Sequence, residues 1–137
     1  MSWIEPMYSL MHLAGRILFS AVFIVSGINH FRNMDGMVAY AASKRAPLPK
    51  VTVPLTGFLG LVGGVTVLLG WTRFIGAGLL FMFMMFTSFI MHAYWRETDP
   101  MARMNERLHF QKDLALGGAA LFVAYYGGGF WPFSLGG

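Results

Sequence analysis

Six side chains able to move protons or hold polar groups stand at the edges of apolar stretches: His30, His92, His109, Gln111, Lys112 and Asp113. Imidazole exchanges a proton near neutral pH, and a lysine ammonium makes charge-assisted hydrogen bonds to carbonyl or phosphate oxygens. At the end of a membrane bundle such a set suits a proton relay or the head of a quinone or lipid. His92, Lys112 and His30 are the candidate ligand contacts. Asp113 is expected to hold Lys112 or cap its helix, because the macrodipole favours an acid at a helix start. The competing reading makes the histidines interfacial anchors. No metal site is expected, since three histidines on separate segments with one carboxylate give no ligand spacing. Haem between His30 and His92 is disfavoured by their position at the membrane edge and by closely packed glycine-lined helices.

Other chemistries are excluded more simply. The chain has no Cys, which rules out structural disulfides, thiolate metal ligation and thiol–disulfide exchange by the chain alone. Its sequence has no phosphate-binding glycine loop, no serine nucleophile elbow and no pair of buried carboxylates.

These residues depend on apolar segments for their positions. With 137 residues, 56% hydrophobic and 12% charged, the chain reads as one all-α integral membrane domain, a four-helix bundle. Phe74 to Met91 has no charge over 18 consecutive residues. As a helix it covers roughly 27 Å, close to the hydrocarbon thickness of a bilayer. Spans are predicted at about 9–28, 51–72, 74–95 and 112–126, with loops between them. Met34, Met37, Val38, Ala41 and Ala42 recur at helical spacing and predict a short interfacial helix between the first two spans. Pro47 and Pro49 end it. Pro54 is expected in the first turn of the second span, where its missing N–H does no harm.

Helix faces follow from spacing. Arg16, Ser20, Phe23, Gly27 and His30 lie close to one line of the first helix, which should face the bundle. Arg16 either snorkels to the headgroups or is buried in a supporting role. Gly60, Gly63 and Gly64 give the second span a small face for close helix packing, and Gly118 with Ala115 and Ala119 does so in the fourth. Phe83 and Met84 of the third span are left for lipid or another subunit. The glycine-rich tail, with Tyr125, Tyr126, Phe130, Trp131 and Phe133, is expected as an aromatic belt in the headgroup layer.

The net charge of +4 does not indicate nucleic acid, because the basic residues flank apolar segments. Arg32, Lys44, Arg45 and Lys50 fall in one long loop, and Arg96, Arg103, Arg107 and Lys112 in the other. Both loops are therefore expected in the cytoplasm and both termini outside. Residues 1–8 lack Lys and Arg, so no secretory signal is expected there.

In order and spacing, GRILFSAVFIVSGINHF, YAASKRAPLP, GLVGGVTVLLGWTRFIGA, HAYW and QKDLALGGAALF resemble the DoxX family of small four-span bacterial and archaeal membrane proteins. The resemblance covers nearly the whole chain and matches Arg16, Gly27, the Gly63–Gly64 pair, His92 and Lys112. Two positions depart from it: Gly60, where many members carry an acid that would pair with Arg16, and Asp113, where many carry Asn. It implies a multi-pass plasma membrane component of redox systems, with possible quinone or lipid contact and no covalently bound cofactor. Expected partners are the bilayer and other membrane subunits or a second copy. Together the residues favour a non-catalytic accessory subunit over a quinone-linked oxidoreductase, and either over a small-molecule or proton transporter, which would need broken helices and midplane polar groups.

Overall fold

The computed structural model describes residues 3–136; Met1, Ser2 and Gly137, which end two of the segments read above, lie outside it. Among the described residues the regular structure is all helical, in the order α1 (Ile4–Arg32), α2 (Met34–Ser43), α3 (Pro49–Leu69), α4 (Arg73–Phe86) and α5 (Pro100–Tyr126). A π-helical turn, Thr87–Met91, continues α4, and a short turn at Tyr94–Arg96 follows. Three stretches are long and apolar enough to cross a membrane: Ile4–Arg32, Pro49–Leu69 and Arg73–Arg96.

α2 is the expected short helix between the first two spans. It is separated from α1 only by Asn33, whose φ of −120° interrupts the helix. α3 starts at Pro49, so Pro54 falls in the second turn rather than the first. There the proline deprives the Lys50 carbonyl of a helical donor. At its other end α3 stops at Gly70, with φ of 69°. The Gly70 and Trp71 N–H groups return to the Val67 and Thr66 carbonyls, a Schellman closure that favours glycine at the left-handed position.

α5 departs most from the expected boundaries. Its first turns occupy much of what reads as a loop over 96–111. Asp99 is the N-cap, its Oδ2 accepting from the Ala102 N–H at 2.9 Å, and Pro100 takes the first helical position. The apolar part after Asp113 covers only about 20 Å as a helix, short of a bilayer. Lys112 and Asp113 therefore sit inside a continuous helix rather than at its start.

Packing runs in series, α1 on α3, α3 on α4 and α4 on α5, while α1 and α5 scarcely touch. Small residues set the closest approaches. A Cβ on Gly27 would meet the Leu61 backbone at 2.7 Å, and one on Gly64 would meet Ile24 at 2.9 Å. Gly60 faces the Phe23 carbonyl at 3.4 Å, and Gly63 faces Leu80 and the Gly76 carbonyl of α4. The buried residues of α1 are Arg16, Ser20, Phe23, Gly27 and His30, the five aligned by spacing.

Three expectations need correction. In α5 the packing glycine is Gly117, against Met85 and Met84, whereas a Cβ on Gly118 would meet nothing within 4 Å. Phe83 and Met84 belong to the core with Phe23, Val67 and Leu80, and it is Phe74, Ile75, Met82 and Phe89 that face outward. Lastly, the tail is not wholly a surface belt. Tyr125, Tyr126, Phe130 and Phe133 are exposed, but Trp131 is buried in the core.

Two buried arginines explain the tail. Arg16 donates from Nη1 to the Pro132 carbonyl at 2.6 Å and from Nη2 to the Phe133 carbonyl at 2.8 Å. Arg73 donates to the carbonyls of Gly129 and Gly136, both at 2.8 Å. Their guanidinium carbons lie 5.7 and 4.8 Å from the Trp131 ring centre, within cation–π range. Arg16 thus neither snorkels nor needs an acid at position 60, which lies against Phe23 instead.

Candidate functional site

The candidate residues gather at the end of the bundle that carries α2. The π turn matters for this. The His92 N–H bonds to the Thr87 carbonyl at 3.1 Å, five residues back, and the helix stops there. Such wide turns re-aim side chains and recur at functional sites. On α5, Glu106, Phe110, Asp113, Gly117 and Ala120 follow one another at three- and four-residue steps, so one face brings Glu106 and Asp113 to His92.

His92 lies between two carboxylates. Its Nδ1 is 2.6 Å from Glu106 Oε2, and its Nε2 is 3.6 Å from Asp113 Oδ2. A carboxylate accepts, so Nδ1 carries the proton shared with Glu106. The ring also stacks on His109 at 4.9 Å between centroids. Asp113 is buried, and its Oδ2 has no hydrogen-bond donor among the described residues.

Glu106 continues the network outward. Its Oε1 accepts from Lys44 Nζ at 2.9 Å, and Lys44 also reaches Glu97 at 3.3 Å. Burial alone would raise the Glu106 carboxyl, but the hydrogen bonds from His92 and Lys44 outweigh it and hold the group below the usual glutamate range. Burial works against the Lys44 ammonium too, and the bonds to Glu106 and Glu97 raise it above its ordinary value. Both belong to one desolvated cluster tying α2 to α5.

A cavity of about 180 Å³ opens beside this cluster, and its walls include Ser26, His30, Thr56, Phe83, Thr87 and His92. His30 Nδ1 lies 2.7 Å from the Ser26 carbonyl. A carbonyl can only accept, so Nδ1 bears the hydrogen and a neutral ring offers Nε2 as an acceptor. Thr56 donates to the Thr52 and Val53 carbonyls, and Thr87 to the Phe83 carbonyl, which leaves both hydroxyl oxygens free to accept. The cavity is therefore apolar in its walls and rich in acceptors. Tyr40 on α2 adds a phenol that burial pushes towards its neutral form.

Of the candidates, His30 and His92 share the cavity and Asp113 supports His92 from behind. Lys112 does not line the cavity. Its side chain is 57% exposed and touches only the outer side, 3.4 Å from His109 Nδ1 and 3.7 Å from Asp113 Oδ1. Arg16 lies at the opposite end with the tail. Sequence reasoning missed Glu106 and Lys44. The Asp99–Pro100 helix start would have revealed Glu106, because a helix from Pro100 puts it two turns before Asp113.

Comparison with known proteins places the chain in a family. The DoxX family model matches residues 11–93, and the chain belongs to that family. The match includes His30, Lys44 and His92 and stops before Glu106 and Asp113. The chain is also similar to Inner membrane protein YphA of Escherichia coli (strain K12), with 29% identity over 117 residues, 85% of this chain and 83% of that protein. No solved structure matches it significantly.

Proposed function

We propose that this DoxX family membrane protein is an accessory component of a redox or energy-transducing membrane complex, and that it holds the head of a quinone or lipid between His30 and His92. The observation that carries this reading is that two imidazoles from separate spans line one small, mostly apolar cavity. Complete small-molecule pockets are about 300–1,000 Å³. A cavity of about 180 Å³ suits a headgroup whose tail stays in the bilayer.

The chemistry favours a ligand that donates hydrogen bonds. His30 Nε2 and the threonine oxygens can accept, so a hydroxyl such as that of a quinol or a lipid glycerol fits better than a bare carbonyl. His92 turns Nδ1 to Glu106 and Nε2 towards Asp113, so it would meet the head through its ring, held in place as one wall of the cavity. No nucleophile or bound redox centre is needed for this role.

The protein is proposed to lie in a bacterial or archaeal plasma membrane, as the name of the Escherichia coli relative says of that protein. The loops rich in Lys and Arg, and hence the cavity, would face the cytoplasm. The reading is tested by the quinone and lipid that co-purify with variants of His30 and His92.

A further inference from the structure

A second cavity, of about 350 Å³, opens at the other end of the bundle in the gap between α1 and α5. Phe19, Val67, Phe122 and Val123 give it apolar walls, with Arg16 and His12 beside them and Trp131 closing one side. Because α1 and α3 run antiparallel with Ser20 and Ile24 against Gly64, Arg16 comes level with the last turns of α3. This is the end of the bundle that carries the tail.

Buried polar atoms without partners lie beside the groove. Arg16 is 6% exposed, and its two terminal nitrogens bond to tail carbonyls while Nε has no acceptor among the described residues. His12 Nδ1 is likewise without a partner. Among the described residues neither Arg16 nor Arg73 forms a salt bridge, although both guanidiniums face the same Trp131 ring. Guanidinium does not lose its proton in proteins, so among the described residues these two buried positive charges meet only neutral carbonyls. A desolvated cation is stabilised by an anion in contact with it.

We infer that this groove binds an anionic amphiphile, its acid group seated at Arg16 and His12 and its acyl chain lying along Phe19, Val67 and Phe122. Charge complementarity selects the head, and the apolar walls between two lipid-facing helices accept the tail. Nothing in this site depends on the His30–His92 cavity.

Trp131 supplies the probe. With Trp3, Trp71 and Trp95 replaced by Phe, it is the sole tryptophan, and lipids brominated on the acyl chain quench it on contact. The probes are brominated phosphatidylglycerol, phosphatidylcholine and palmitic acid, added to protein in non-ionic detergent. An anionic probe should reach half-quenching at about tenfold lower mole fraction than phosphatidylcholine, the size expected for one charge-assisted hydrogen bond. Preference for phosphatidylglycerol identifies a phosphodiester head and preference for palmitate a carboxylate; either supports the site. Gly15→Leu should remove the preference, since a Cβ there meets nothing within 4 Å and the side chain would fill the groove without disturbing the tail. Arg16→Lys should retain part of it. Equal quenching by all three probes, or a preference that survives Gly15→Leu, would overturn the inference.

Discussion

His92 Nδ1 and Glu106 Oε2 lie 2.6 Å apart, joining the end of the third span to a turn of α5 that reads as loop in the sequence. The contact fixes the ring that lines the cavity. Through the other carboxylate oxygen it also engages Lys44, so α2, the third span and α5 meet at one carboxylate.

Glu106→Gln should weaken this junction more than any surface change nearby. One charge-assisted bond in a desolvated cluster contributes about 1 to 3 kcal/mol. Melting in detergent should show a loss of that size, whereas Glu97→Gln, on the more exposed arm of Lys44, should cost about 0 to 1 kcal/mol. Equal effects would mean that Glu106 is an ordinary surface ion pair.

The same cluster sets a pH dependence. The Glu106 carboxyl is held below its ordinary value of 4.5, so its stabilisation is present above that pH and lost as pH falls through the lower, folded value. Lys44 is raised above its ordinary 10.5, so its stabilisation holds below that pH and is lost as pH rises through the folded value. The contribution of this pair to thermal stability should therefore be level between these limits. Glu106→Gln should flatten part of the acid-side fall, and an unchanged acid limb would contradict the assignment.

Glycine substitutions separate packing from mere composition. Gly63→Ala places a Cβ 2.8 Å from the Leu80 side chain and 2.9 Å from the Gly76 carbonyl, and should destabilise by about 1 to 3 kcal/mol. Gly118→Ala meets open space and should stabilise by up to about 1 kcal/mol through helix propensity alone. Chemical denaturation of both variants in one detergent distinguishes them.

Much of the fold is legible in the sequence because lipid-crossing helices need long uncharged runs, and the buried line of α1 follows from a 3.6-residue period. Phe83 and Met84 were not legible as core, since every side of that span is apolar and hydropathy cannot mark the inner face. Trp131 was hidden for a different reason. A tail rich in glycine carries no periodic signal, and its anchors are carbonyls held by Arg16 and Arg73, one nearly at the far end of the sequence and the other in the central hairpin. His30 and His92 stand out as residue types, but the Glu106 and Lys44 that organise them depend on where α5 begins.

The orientation proposed from the distribution of Lys and Arg can be read with introduced thiols, because the chain has no Cys. A membrane-impermeant thiol reagent applied to intact cells should label Gly128→Cys, in the exposed turn after α5, and spare Ser43→Cys at the end of α2. The reverse pattern would put the His30–His92 cavity on the outer side.

The central claim is tested most directly by the quinone and lipid recovered per protein from native membranes in mild detergent. The comparison is wild type against His30→Phe, His92→Phe and Lys112→Ala at matched stability. His30→Phe keeps a ring against Phe83 and removes the cavity acceptor, so it isolates binding from folding. Loss of one such contact should lower affinity by roughly 5- to 150-fold. The account predicts depletion of one co-purifying species in both histidine variants and wild-type content in Lys112→Ala. Unchanged content in His30→Phe and His92→Phe would contradict it and leave the two histidines as interfacial anchors.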